Sequence, residues 1–177
     1  MEYFNIITHI ILIMSLGWYL ITNLQWYNYK LDRVVFKHHK WQWHITYFLS
    51  PIVLFYIIPE PYYAIYFYVI FMASFVLWNK KLDRTLVLTS RVKRFLVILL
   101  FSIFAMTALC LSSPFCTNIL VFIPLILAYV ISTLLEKMFF ISFKHKGKQR
   151  VHSIVGLKTV AITASYGKTS IKNYLYH

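Results

Sequence analysis

Residues 95–111 read Phe-Leu-Val-Ile-Leu-Leu-Phe-Ser-Ile-Phe-Ala-Met-Thr-Ala-Leu-Cys-Leu, without a charged residue, and Arg91, Lys93 and Arg94 stand just ahead of them. A helix rises 1.5 Å per residue, so roughly 17 to 25 residues cover the 30 Å hydrocarbon core of a bilayer. This run has that length and is apolar around its whole circumference. Lipid offers no partner to a backbone N–H, so such a run folds as a helix whose bonds stay within the segment.

Four more runs of this kind lie at 3–24, 41–58, 62–78 and 119–140. The expected fold is therefore an all-α membrane protein. It has a bundle of about five transmembrane helices within residues 1–143, a basic linker at 144–156, and a short cytosolic strand, loop and helix start at 157–177. Composition agrees: 60% of the 177 residues are apolar, 19% aromatic and 13% charged. A water-soluble domain carries about 25% charged residues, because its surface must be solvated. Pro51 and Pro124 are expected to kink the second and fifth helices. Glu2 stands where a signal peptide has basic residues, so the first run is expected to remain as a helix.

The 18 Lys and Arg against 5 Asp and Glu give a net charge of +13. Lys30, Arg33, Lys37 and Lys40 fall between the first and second runs. Lys80, Lys81, Arg84, Arg91, Lys93 and Arg94 fall between the third and fourth, Lys137 stands in the last turn of the fifth, and every other basic residue follows the fifth. Residues 1–2, the Pro59-Glu60-Pro61 turn and the 111–118 loop hold no Lys or Arg. Five crossings put all basic side chains on one face, which the positive-inside rule makes cytosolic, with the N-terminus outside. The alternative is a re-entrant hairpin over 41–58 and 62–78. Two full spans are preferred, because Trp and Tyr sit at both ends of these runs, as in interfacial belts.

A weak repeat is also present. Trp26 precedes Lys30-Leu31-Asp32-Arg33, and Trp78 precedes Lys81-Leu82-Asp83-Arg84. Helix-end chemistry, with Trp at the interface and Asp beside Lys or Arg, accounts for it; a duplicated hairpin is the other reading.

Few residues inside the runs carry chemistry. His9 lies within the first helix, where an ionisable group is a functional suspect, but it stands alone and a neutral His9 facing another helix is the expectation. Glu136 lies near enough to the cytosolic end to pair with Lys137 or to snorkel. Cys110 and Cys116 flank the short outer loop, where an oxidising compartment permits a disulfide, but two cysteines do not make a framework. His38, His39 and His44 lie on the opposite side, so no metal cluster is expected. The tail Lys144-His145-Lys146-Gly147-Lys148-Gln149-Arg150 has no aromatic stacking platform or nucleic-acid motif around it. Anionic lipid of the inner leaflet is its expected partner, not nucleic acid.

The end of the chain differs. Residues 157–163 read Leu-Lys-Thr-Val-Ala-Ile-Thr, a β-branched run suited to a buried strand, and pass directly into Ala164-Ser165-Tyr166-Gly167-Lys168-Thr169-Ser170. A strand, a Gly-Lys-Thr loop and a helix start form a phosphate cradle: loop amides face the anion, Lys168 reaches its outer phosphates, and the Thr169 hydroxyl holds Mg²⁺. The longer Gly-x4-Gly-Lys pattern is absent, because Ile162 occupies its first Gly position.

At these residues the chain resembles the Mur ligase family, whose phosphate loop has the form Thr-Gly-[Ser/Thr]-x-Gly-Lys-Thr-[Ser/Thr]-x-Lys. Residues 163–172 fit every fixed position but one, Ala164 standing for the first Gly, which restricts the backbone at the turn. The layout also resembles membrane-anchored ligases of the type that adds D-alanyl-D-alanine to the UDP-muramoyl tripeptide. The resemblance implies ATP and Mg²⁺ as cofactors. It places Ser165, Tyr166, Gly167, Lys168, Thr169 and Ser170 around ATP, with Thr169 on the metal, and assigns no catalytic residue. Such a ligase activates a carboxylate as an acyl phosphate before an amine attacks it, and needs further ATPase and amino-acid-binding domains beyond Lys172. The expectation is thus an anchor portion, truncated or one half of a split ligase, in the bacterial inner membrane. The alternative is a small transporter-like or scaffold membrane protein with a fortuitous Gly-Lys-Thr.

Overall fold

The computed structural model describes residues 2–36, 41–59, 62–82, 85–112 and 122–154. Two units divide the chain, Met1–Glu136 and Lys137–His177.

Helix α1, Glu2–Trp26, has more than half of its apolar window buried in the structure. Three of its hydroxyls bond back within the helix itself: Thr8 donates to the Phe4 carbonyl at 2.9 Å, Ser15 to Ile11 at 2.8 Å, and Thr22 to Trp18 at 2.7 Å. Such back-bonding is how a hydroxyl survives where water is absent. The helix ends at Asn28, in the left-handed region with φ 54°, while the Tyr29 N–H returns to the Leu24 carbonyl at 2.6 Å. This closure satisfies an orphan carbonyl of the last turn, and Asn accepts the left-handed position readily. Tyr29 also has positive φ, 58°, which costs a bulky residue energy; its ring lies under the Arg91 guanidinium, 3.7 Å from the centroid.

A six-residue helix follows, α2 (Leu31–Phe36), started by the Lys30 carbonyl, which accepts from the amides of Arg33 and Val34. Next come α3 (Trp41–His44), a π-helical turn at Ile45–Leu49, and α4 (Ser50–Ile57). They form one continuous helical run. Pro51 was expected to kink this run. The structure widens the turn before it: a proline has no N–H and crowds the carbonyl four residues back, and the π turn moves the register so that the Ser50 amide bonds to Ile45, five back.

The third run contains α5 (Tyr62–Ile65), a second π turn at Tyr66–Phe71 and α6 (Met72–Lys80). No proline explains this turn. A stacked ladder does: Tyr63, Phe67, Phe71 and Phe75 are all buried, with successive ring centroids 6.0, 5.3 and 5.6 Å apart and planes within 26°. At 3.6 residues per turn, every fourth residue drifts around the helix, and a widened turn holds these rings on one face.

Thr89 caps α7 (Ser90–Ser112), its hydroxyl accepting from the Val92 amide at 3.4 Å. The extended segment before it is tied to α1 by Gln25, whose amide both donates to the Val87 carbonyl and accepts from the Val87 N–H. Gly17 lets α1 and α7 approach: a Cβ there would lie 2.2 Å from Leu99 Cδ2. Small residues at such seams permit close packing in lipid. In α8 (Phe122–Ser153), Pro124 falls in the first described turn. Ser102 of α7 donates to the Pro124 carbonyl at 3.1 Å.

The sense of each helix follows from its contacts. His9 meets Phe55 while Tyr19 meets His44, so the 41–57 run is antiparallel to α1. Thr8 meets Tyr68 and Trp18 meets Asn79, so the 62–80 run is parallel to α1.

Four helices are long and apolar enough to cross a membrane: Ile6–Trp26, Tyr62–Lys80, Ser90–Leu109 and Phe122–Ser153. The expected span at 41–58 is helical from Trp41 to Ile57, short of that length. In the second unit, residues 144–153, expected as a linker, continue α8 as helix with their side chains exposed. Residues 155–177, and with them the strand and phosphate loop, lie outside the described residues.

Candidate functional site

The phosphate-loop residues Ser165, Tyr166, Gly167, Lys168, Thr169 and Ser170 are not among the described residues, nor are His38, His39 and Cys116. The candidates the structure does describe lie within the helices. His9 faces another helix as expected, its ring centroid 4.6 Å from that of Phe55 and tilted to it by 46°, and its buried Nε2 has no hydrogen-bond partner among the described residues. Glu136 departs from expectation. It pairs with two α7 residues, Arg94 and Arg91, the latter at 3.6 Å. The reason is helical phase: Arg91 and Arg94 are three apart on α7 and share the face that meets α8. No group of three metal-ligating side chains occurs among the described residues.

Sequence reasoning missed the best-formed site. His44 closes α3, and its ring joins two elements: Nδ1 lies 2.7 Å from the Tyr19 hydroxyl of α1 and Nε2 lies 2.8 Å from the Val34 carbonyl of α2. A carbonyl only accepts, so in the neutral ring it fixes the proton on Nε2 and leaves Nδ1 to accept from Tyr19. This chain of bonds clamps α2 over the side of α1 and leaves a cavity of about 270 Å³ between them. Tyr19, Leu31, Val34, Trp41, His44 and Phe48 are among the residues lining it.

Behind Tyr19 lies an aromatic cluster. Its ring centroid is 5.1 Å from that of Trp78, and Tyr47 approaches Trp78 to 5.4 Å. Trp43 stands between the two repeat tryptophans, 6.5 Å from Trp26 and 6.0 Å from Trp78. The Trp-Lys-Leu-Asp-Arg resemblance between loops therefore has a packing counterpart: both tryptophans close on one ring. No local sequence pattern marked the His44 clamp, whose partners Tyr19 and Val34 lie 25 and 10 positions earlier in the chain.

No protein-family model matches this sequence, and no curated protein or solved structure matches it. What the fold and site define is a class. Among the described residues the chain is all-helical, with four helices of membrane-crossing length and composition.

Proposed function

We propose that the chain is the membrane anchor portion of a Mur-type, ATP-dependent amide ligase of peptidoglycan precursor synthesis. The observation that carries this reading is the run Thr163-Ala164-Ser165-Tyr166-Gly167-Lys168-Thr169-Ser170-Ile171-Lys172, which departs from the family's loop only at Ala164. In this reading Lys168 binds the ATP phosphates, Thr169 holds Mg²⁺, and Ser165, Tyr166, Gly167 and Ser170 complete the cradle. Residues 157–163 form its strand and the chain after Ser170 opens its helix. The remainder of the ligase is the partner.

The membrane map that delivers this loop to ATP has five crossings in the bacterial inner (plasma) membrane, N-terminus outside and C-terminus cytosolic. Two observations support it. All 18 basic residues fall on one side of such a map. The 41–57 run opposes α1 from His44 beside Tyr19 to Phe55 beside His9, and the 62–80 run parallels α1, the alternation that successive crossings require. The short second run spans by local thinning of the bilayer or by its flanking Trp41 and Tyr56 anchors.

Reading the coding DNA past the His177 codon tests the proposal. It is expected to encode the rest of an ATPase domain with acidic Mg²⁺ ligands, in frame, in another frame or after a stop; unrelated sequence there overturns the ligase reading. A bundle that itself carries a transporter-like or scaffold role draws support from the His44 and Tyr19 pair inside the helices. Deleting residues 151–177 separates the two. Loss of the phenotype follows from the ligase reading, and an intact phenotype from the other.

A further inference from the structure

The cavity under α2 has a hydrocarbon wall. Its side chains Tyr19 and His44 are bonded to each other and to the Val34 carbonyl, so they present ring carbon to the interior, and the lining surface as a whole is almost wholly apolar. A nucleotide or sugar placed there would lose its hydration without recovering a hydrogen bond. An alkyl chain loses nothing. The rim residues Leu31, Val35, Trp41, Ile45 and Leu49 are all exposed, so the cavity opens onto apolar surface that lipid covers. At about 270 Å³ it is smaller than the roughly 300 to 1,000 Å³ of a site that encloses a whole small-molecule ligand, and so takes part of a chain, not a headgroup.

The start of the same short helix carries charge. Lys30 and Arg33 bracket the lining residue Leu31, and neither forms an ion pair with any described residue. Asp32 offsets one of them, and Lys37 and Lys40 follow in sequence. We propose that this cavity seats one acyl chain of an anionic phospholipid, whose phosphate rests on Lys30 and Arg33. Clamped by His44, α2 then forms the lid of a lipid site at the cytosolic interface. The proposal rests on the bundle alone and stands whether or not residues 163–172 bind ATP.

Native mass spectrometry of the full chain, released from vesicles of equal phosphatidylglycerol and phosphatidylcholine, tests it. The chain is expected to retain one phosphatidylglycerol with a preference of roughly tenfold, as basic residues at an anionic surface give. Leu31→Trp fills the mouth from the exposed rim, leaves the buried packing in place, and is expected to abolish retention. Lys30→Gln with Arg33→Gln is expected to keep one lipid and lose the preference. Val97→Trp, on the exposed face of α7 outside the cavity, is expected to behave as the unaltered chain. Equal retention of both lipids by the unaltered chain, or full retention by Leu31→Trp with unchanged helicity in circular dichroism, overturns the proposal.

Discussion

Helix α1 keeps 56% of its apolar window inside the structure, and α8 keeps 11%. The apolar windows of the two helices are about equally hydropathic, yet more than half of that of α1 is enclosed by protein while most of that of α8 is exposed. Thr8, Ser15, Thr22 and Asn23 of α1 are all buried, and their bonds run to their own helix or to the 62–80 run. On α8, Leu134, Ile126 and Ile131 are exposed, and the ties to α7 are few: Pro124 through Ser102, and Glu136 through its two arginines. Lipid is as apolar as leucine, so burial between helices is set by packing and polar contacts and not by hydrophobicity. A helix's mean hydropathy therefore says that it enters the membrane, while its small and polar residues say where in the bundle it stands.

The sharpest way to break this comparison is to truncate one leucine on each helix. Leu16 of α1 is fully buried and Leu134 of α8 is 54% exposed. Leu16→Ala is expected to cost about 2 to 5 kcal/mol through the cavity it leaves. Leu134→Ala is expected to change stability by about 0.5 kcal/mol or less. Denaturant titration in detergent micelles, followed by circular dichroism, reads both; equal losses would show that α8 is packed as tightly as α1.

The next effect in size belongs to the polar tie of α8. Glu136 is 19% exposed in its side chain, and Arg91 and Arg94 are 34% and 37% exposed. Glu136→Gln removes the charge that separates two arginines and is expected to cost about 1.5 kcal/mol, the low end for bonds to charged groups because solvent reaches all three. Adding 0.5 M salt is expected to shrink the difference between the two proteins. A variant as stable as the unaltered chain at low salt would reduce the cluster to a surface pair.

Much of this was legible in the residues. Apolar runs with charge on one side located every described helix of membrane-crossing length, because lipid leaves a chain little choice but a hydrogen-bonded helix. The π turns were not legible. Pro51 announces a disturbance, but not that the turn before it widens until the Ser50 amide bonds to Ile45, nor that Tyr63 donates to the Pro51 carbonyl from the neighbouring run at 3.1 Å. The second π turn follows from the Tyr63, Phe67, Phe71 and Phe75 ladder, whose alignment exists only once a partner helix fixes the face. Glu136 was read against the neighbouring Lys137, and its true partners lie on α7, 42 and 45 positions earlier in the chain. The His44 clamp was illegible for the same reason: its bonds to Tyr19 and Val34 join three elements, and no local pattern encodes that meeting.

The smallest expected effect bears most directly on what holds α1 in place. The Thr8 hydroxyl lies 3.1 Å from the Tyr68 hydroxyl, while Thr133 of α8 bonds within its own helix, to the Val130 carbonyl at 2.8 Å. Valine matches threonine in shape, so Thr8→Val removes the hydroxyl and little else. In lipid such an interhelical bond averages about 0.6 kcal/mol, since the separated helices find other partners. Thr8→Val combined with Tyr68→Phe in a double-mutant cycle is expected to give a coupling of about that size. Thr133→Val is expected to be silent, because no second helix loses a partner. A coupling near zero at Thr8 would mean that packing at Gly17 and Leu99, and not polar contact, sets the position of α1.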